Sequence, residues 1–255
     1  MNASDPARKD LCSDEELGYE RSRSRFVEGA GLTLDESYRL AHLPLIVPQH
    51  PAVIPRRDGA YYEMGRHPRM FSLVLPVPSE ALMHSQAYRQ LDREMREAAF
   101  APKIAWDLID RRRAKLHATI CGSLSVGEAP ALDPGALDAL KEIGPVTVEL
   151  RGLFSGNVNV GRLYLRVYPE RRGGTNSFRR IQRVLGRRET DLYVVGLYNL
   201  LDDLTPAEAS ALTALIERWW DRPLLRYEAD HLWLLGAEDD LVLTGDVAAT
   251  IPLVR

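Results

Sequence analysis

The feature that most constrains this fold is a pattern of strand and helix signals that occurs twice after Phe71. In each pass an apolar run ends at a proline, a stretch rich in helix formers follows, and a second apolar run comes next. Each pass then has a helix that opens with a capping residue and a proline, at Asp133-Pro134 and at Thr205-Pro206. A further apolar run closes the pass. Each half is therefore predicted to contain strand, helix, strand, helix and strand.

The predicted elements have definite positions along the chain. Strands are predicted at residues 71–76, 115–124 and 146–154 in the first pass, and at 163–169, 192–201 and 224–235 in the second. Helices are predicted at residues 88–99, 135–144, 177–185 and 207–220. A final strand or edge is expected at residues 246–254.

The repeated pattern predicts an α+β fold with two similar lobes of βαβ type, whose sheets flank a central cleft. Residues 71–255 would form this single bilobal domain. Residues 26–70 have few periodic apolar positions and a proline-rich run, so we expect an N-terminal arm that packs on the body. Residues 1–25 alternate acids and bases with few large apolar side chains, and we expect a disordered tail there.

Composition and motifs exclude several classes of protein. The net charge of −3 excludes a uniformly basic nucleic-acid coat. Two cysteines are too few for a disulfide framework or a zinc site, and the histidines form no metal-binding cluster, so we expect no metal and no cofactor. There is no G-x-S-x-G elbow and no P-loop. Without an apolar span or an apolar leader, we expect no membrane association and a cytoplasmic location.

Polar residues alternate along the predicted strand at residues 115–124. Lys115, His117, Thr119 and Cys121 would share one face, opposite Leu116, Ala118 and Ile120. An imidazole can transfer a proton near neutral pH, a threonine hydroxyl can donate to a phosphate oxygen, and lysine supplies positive charge. The face is thus suited to an anion. The alternative is a half-exposed strand in which Thr119 serves only β-sheet formation.

The duplicated pattern with a His-x-Thr motif on a central strand resembles the two-histidine (2H) phosphoesterase superfamily. This group includes cyclic nucleotide phosphodiesterases and the RNA 2′,3′-cyclic phosphodiesterases that are also described as 2′-5′ RNA ligases. The resemblance covers about residue 71 to the C-terminus and rests on FSLVLPVP, KLHATICGSL, VTVELRGLF, GRLYLRVYP and VVGLYNLLDDLTPAEA. It implies a metal-independent site in which one histidine is the general base, another is the general acid, and Thr or Ser hydroxyls hold the phosphate.

The resemblance transfers unequally to the two motifs. His117 and Thr119 match the first motif and would be the catalytic residues. The second motif is expected at residues 197–200, where Leu197 replaces histidine and Asn199 replaces Thr or Ser. Leucine cannot transfer a proton, although the Asn199 amide can still donate to a phosphate. His231 lies on the closing strand, where it either substitutes for the missing histidine or has a structural partner.

The predicted function follows from this uneven match. The protein would act on or bind a phosphodiester, from a cyclic nucleotide or an RNA end, as a hydrolase if the chemistry survives. The alternative is a non-catalytic nucleotide- or RNA-binding module, and a protein-interaction scaffold has no motif to support it. The predicted ligand-binding residues are Lys115, Asn199, Tyr198, Tyr164 and Arg166.

Seven arginines between residues 171 and 188 form a cationic stretch with no acid among them. Such a stretch is typical either of a patch that binds phosphate or of a solvated helix face, and both alternatives stay open at this point.

Overall fold

A computed structural model describes residues 10–254 of the protein as a mixed α+β fold built on one antiparallel sheet of eight strands. Along the chain the strands are β1 (Arg66–Pro76), β2 (His117–Val126), β3 (Val146–Ser155), β4 (Arg162–Pro169), a short hairpin of β5 (Arg171–Arg172) and β6 (Thr175–Asn176), β7 (Val194–Asn199), β8 (Pro223–Ala229), β9 (His231–Asp239) and β10 (Gly245–Pro252). The order across the sheet is β10-β9-β1-β2-β7-β4-β3-β8. The predicted α+β class is confirmed.

The helices are α1 (Tyr19–Ser22), α2 (Glu36–Ala41), α3 (Leu43–Ile46), α4 (Ser79–His84), α5 (Gln86–Glu97), α6 (Asp107–Arg112), α7 (Pro134–Ile143), α8 (Ser177–Val184) and α9 (Pro206–Trp219). None of the helices in residues 10–254 is long and apolar enough to cross a membrane.

Both predicted cap-and-proline signals open helices. The Asp133 carboxylate accepts from the Ala136 backbone N–H at the start of α7. At α9 the Thr205 hydroxyl accepts from the Glu208 N–H, while the Glu208 carboxylate accepts from the Thr205 N–H. These side chains satisfy N–H groups that a helix leaves unpaired in its first turn, and the predicted starts of both helices are confirmed.

The eight strands form two groups of four that meet between β2 and β7. Reading outward from this junction, one group is β2, β1, β9 and β10, and the other is β7, β4, β3 and β8. At the junction itself a single registered pair, Ala118 and Val195, joins the two strands. All eight strands belong to one sheet. The predicted division into two lobes with separate sheets is therefore not confirmed.

The predicted closing strand at residues 224–235 is wrong as a single element. The chain breaks at Asp230, between β8 and β9, and the two strands lie far apart in the sheet order. β8 pairs with β3, whereas β9 pairs with β1. Asp230, a polar residue between two apolar runs, marks the point where one strand ends and the next begins. The same sequence pattern is also typical of an exposed position within one strand.

The N-terminal segment, residues 10–65, packs against the body at several places along its length, although residues 27–31 are exposed. Residues 10–25, where a disordered tail is predicted, contain helix α1 and several buried side chains, and residues 1–9 lie outside the described part. Leu17 and Tyr19 are fully buried, and the Tyr19 hydroxyl donates to the carbonyl of Val167 on β4 (2.7 Å). Asp14 pairs with the buried Arg166. A few aperiodic apolar side chains thus fix a segment whose composition is mostly polar.

Candidate functional site

A cavity of about 280 Å³ lies on one face of the sheet, next to the junction of β2 and β7. Strands β1, β2, β4, β7 and β9 and the turn after β9 contribute to its wall. Its polar lining includes His117 and Thr119 from β2 and Arg162 and Tyr164 from β4. Three of the predicted site residues, His117, Thr119 and Tyr164, therefore lie in one place.

His117 presents one ring nitrogen to its surroundings. Its Nδ1 donates to the carbonyl of Lys115 (2.7 Å), and because a carbonyl only accepts, Nδ1 carries the proton. Within residues 10–254 this is the ring's one hydrogen bond, so Nε2 keeps its lone pair. Burial lowers the pKa of His117 to about 4, and the charges of Arg112 and Arg162 act in the same direction. At neutral pH the ring is a neutral base.

Thr119 lies on the same face as His117 and is exposed, so its hydroxyl is accessible to a ligand. Cys121, predicted to share this face, is instead buried. The register explains the difference, because β2 pairs Thr119 with Val74 and Cys121 with Leu73, so β2 has one residue more than β1 here. A bulge of this kind turns the following side chain to the other face. Burial also raises the pKa of the Cys121 thiol to about 11.

Arg162 is a site residue that the sequence reasoning missed. It begins β4, one position before the predicted strand, and alternation places it on the face of Tyr164. Its Nη1 donates to Nε2 of His42 (3.1 Å) and to the carbonyl of Asp240 (3.1 Å). A Cβ atom at Gly196 would overlap the Arg162 guanidinium, so the glycine makes room for this side chain.

A second arginine lies under the site. Arg112 ends α6 and is buried, and it donates to the carbonyls of Leu241 (2.7 Å) and Gly196 (3.0 Å). Among residues 10–254, neither Arg112 nor Arg162 forms an ion pair with a carboxylate. The hydrogen bonds of both guanidiniums go to neutral groups, while the carboxylates of Asp239 and Asp240 act on them only at longer range. Neither charge is neutralised by a direct carboxylate contact, so an anion can still pair with it.

The acidic residues at the cavity have partners of their own. Asp240 lies beside Nε2 of His67 (3.4 Å) and accepts from the Tyr62 hydroxyl (2.8 Å). Burial disfavours a charged imidazole, but bonds to Asp240 and to the carbonyl of Pro68 raise the pKa of His67 overall. Hydrogen bonds from His67 and Tyr62 hold the pKa of Asp240 below its usual range in spite of its burial. His67 was not among the predicted site residues.

Four predicted ligand-binding residues do not line the cavity. The Lys115 ammonium donates to the carbonyl of Gly245 (3.0 Å), and residues 113–115 form a turn before the strand. Tyr198 packs edge-on against Trp106, with ring centroids 5.8 Å apart. The Asn199 side chain is buried and has no hydrogen-bond partner within residues 10–254. Arg166 is also fully buried, where it pairs with Asp14 and stacks on Trp220 at 3.8 Å.

The second motif aligns differently from the prediction. Val195 pairs with Ala118, and the β7 residues that line the cavity are Val194 and Gly196. Leu197, the position where a histidine was expected, is fully buried and is not part of the lining. Alternation from Val194 and Gly196 points Leu197 away from the cavity, and β7 has one residue more than β4 at this position. In either alignment β7 supplies no proton carrier.

The remaining candidates are occupied elsewhere. His231 is not part of the cavity lining, and its Nδ1 bonds the neighbouring Asp230 (2.5 Å), as expected for a structural histidine. Four of the seven arginines at residues 171–188 pair with glutamates, namely Arg171 with Glu16, Arg172 with Glu170, and Arg179 and Arg183 with Glu189. This pairing favours the solvated helix face over a phosphate-binding patch.

No group of three or more His, Cys, Asp or Glu side chains in the described part of the chain is arranged to hold a metal ion. No family model matches the chain, and it has no match among the curated proteins.

Proposed function

We propose that the cavity binds a phosphodiester, from a cyclic nucleotide or an RNA end, in a protein related to the 2H phosphoesterases. One observation carries the proposal: His117, Thr119 and Arg162 line one cavity, and the hydrogen bonds of the Arg162 guanidinium within residues 10–254 go to neutral groups rather than to a carboxylate. A neutral imidazole, a hydroxyl and a guanidinium offer one acceptor and several donors to a phosphate and its ester oxygens.

The strand order supports the 2H-like part of the proposal. The two strands at the junction, β2 and β7, are the ones on which the two motifs are predicted. The next strand outward on each side, β1 or β4, is the first strand of its pass. The third strand on each side, β9 or β3, comes from the end of the other pass. Such a mirrored order is what a duplicated fold with a site at its centre would have.

Each residue has a role that its geometry allows. Thr119 would donate its hydroxyl proton to a non-bridging phosphate oxygen, and the nearby guanidinium charge would neutralise the anion. Nε2 of His117 would accept a hydrogen bond from the ligand, since its lone pair is free. Val194 and Gly196 can contribute only contact area, because neither has a polar side chain.

Binding without efficient turnover is the function that this geometry favours. Loss of one acid–base partner typically costs a factor on the order of 10²–10⁴ in rate, and β7 carries none. Turnover is the second candidate. The observation that favours it is that His117 lines the cavity with Nε2 unprotonated at neutral pH, although a pKa of about 4 makes the ring a weak base for a hydroxyl or water.

The test is a panel of 2′,3′-cyclic nucleotides assayed for binding by calorimetry and for hydrolysis by product analysis. His117→Ala is the test variant, and His84→Ala, at an exposed position, is the matched control. Saturable binding that His117→Ala weakens and His84→Ala leaves unchanged supports the proposal. Hydrolysis abolished by His117→Ala alone would establish the second candidate. Absence of both binding and hydrolysis for every member of the panel would refute both.

A further inference from the structure

We propose that Arg162 is the residue that holds the anion in the cavity, and that the N-terminal segment positions its guanidinium through His42. This inference rests on the proposed function and names two residues to which the 2H resemblance gives no role: Arg162 lies within the region that the resemblance covers, and His42 lies before it.

The first support is the space above Gly196. On β7 a side chain at this position would project to the cavity face, as Val194 does. The Arg162 guanidinium occupies that space instead, and a Cβ atom at position 196 would overlap its Nε, Nη2 and Cζ atoms. A cation from β4 thus takes the place of a β7 side chain, opposite the strand that carries His117 and Thr119.

The second support is how the guanidinium is held. His42 is fully buried between α2 and α3, and its Nε2 accepts from Arg162 Nη1. Burial lowers the pKa of His42 to about 3, so the ring stays a neutral acceptor over the physiological range. It stacks on Tyr38 with ring centroids 5.2 Å apart, and the Tyr38 hydroxyl donates to the carbonyl of Leu200 (2.7 Å). These contacts fix His42 relative to the end of β7.

The third support is what remains unpaired on Arg162. Its hydrogen bonds go to an imidazole and a carbonyl, both neutral. Its Nε is buried without a partner, and within residues 10–254 no hydrogen bond reaches Nη2. The Asp240 carboxylate acts on the guanidinium only at longer range. An oxyanion is the class of ligand that would satisfy the unused donors of a guanidinium with no direct carboxylate contact.

Three variants test the role of Arg162, with a 2′,3′-cyclic nucleotide and inorganic phosphate as separate titrants in calorimetry. Arg162→Met removes the charge, and Gly196→Ala keeps the arginine but expels its guanidinium from its place. Each is expected to weaken binding by about 10- to 100-fold, the range of a hydrogen bond to a charged group. The double variant is expected to bind as weakly as either single variant, because both remove the same contact. Arg111→Met, at an exposed ion pair, is the control and is expected to bind normally.

His42→Phe tests the positioning role, since it keeps a ring against Tyr38 but removes the acceptor. It is expected to weaken binding less than Arg162→Met, with no further loss when the two are combined. Wild-type affinity in both Arg162→Met and Gly196→Ala would overturn this inference and leave the proposed function intact. A wild-type protein that binds neither titrant would overturn both. Circular dichroism establishes that each variant is folded, and Gly196→Ala decides the question if Arg162→Met does not fold.

Discussion

His117 and His67 line the same cavity, yet their surroundings shift their pKa values in opposite directions. Burial and nearby guanidiniums favour the neutral form of His117, whereas the Asp240 carboxylate favours the charged form of His67 in spite of its burial. Such opposite shifts separate a ring that is neutral at neutral pH from one whose charged form is stabilised. At neutral pH Nε2 of His117 is free to accept a hydrogen bond, while the Asp240 carboxylate favours the imidazolium form of His67.

These shifts predict how stability depends on pH. The pKa of His117 is about 4 in the folded state and 6.5 in the unfolded state, so the unfolded chain takes up a proton more readily. The contribution of this ring to the unfolding free energy is therefore fully present above pH 6.5 and is lost as the pH falls toward 4. We expect His117→Ala to reduce the fall in unfolding free energy over this interval by about 3 kcal/mol at most. Urea titrations from pH 4 to 7 measure it. An unchanged slope in His117→Ala, equal to that of His84→Ala, would contradict the shift.

The pair of Asp240 and His67 gives a second prediction, which concerns a histidine whose pKa is raised rather than lowered. With Asp240→Asn, His67 loses the hydrogen bond and the charge of Asp240, while burial, the Pro68 carbonyl and the Asp239 charge still act on the ring, so its pKa is expected to fall. Removing one member of a buried pair is also expected to cost about 3–5 kcal/mol of unfolding free energy. NMR titration of the ring and urea unfolding measure the two effects. Asp246→Asn, at an exposed ion pair with Arg69, is the control and is expected to cost no more than about 1 kcal/mol.

At the level of residues, the sequence predicts the part of the site that lies on one strand. Alternation along β2 places His117 and Thr119 together, and alternation along β4 places Tyr164 on its cavity face. Arg162 and Gly196 escape prediction because their significance depends on two strands that are adjacent only in the fold. Asn199 pairs with Arg162 in the register of β4 and β7 but is buried and does not line the cavity, and no pattern in the sequence predicts this burial.

Among the elements, the N-terminal segment departs most from its composition. Its apolar residues are few and follow no helical or strand period, so a sequence pattern predicts no structure there. Yet Leu17 and Tyr19 are fully buried against the body. By contrast, helices α7 and α9 are predictable because Asp133 and Thr205 cap them through contacts within four residues of the chain.

The packing of this segment predicts a large cost for one small change. Leu17→Ala is expected to lower the unfolding free energy by about 2–5 kcal/mol, because it leaves a cavity in a fully buried site. Val27→Ala, at a residue that is 69% exposed, is the control and is expected to change it by about 0.5 kcal/mol or less. Equal, negligible effects of the two substitutions in urea unfolding would mean that the segment is not docked.

Over the whole molecule, one hydrophobic core joins the two groups of strands. It includes Leu73 of β1 and Leu232 of β9 in one group and Leu150 of β3 in the other. The strands themselves meet at a single registered pair between β2 and β7, so side-chain packing rather than backbone pairing holds the groups together. The sequence predicts the α+β class from its local periodicity, but it cannot predict that both passes enter one sheet, since that depends on contacts between distant strands.

A shared core predicts one cooperative unfolding transition. Variants that keep only Trp233, on β9, or only Trp219, which ends α9 against β3, report on the two groups of strands separately. We expect their urea midpoints to coincide with each other and with far-UV circular dichroism. Two separated midpoints would show that the groups unfold as independent units.

The central claim is that a phosphodiester binds in the cavity beside His117, and the most direct measurement is NMR of the histidine rings during titration with a 2′,3′-cyclic nucleotide. We predict a saturable shift of the His117 resonances and a rise of its pKa above about 4, because a bound anion favours the imidazolium. The His84 resonances, from a side chain that is 75% exposed, should stay unchanged. His117 resonances and a His117 pKa that do not respond to millimolar ligand would contradict the claim.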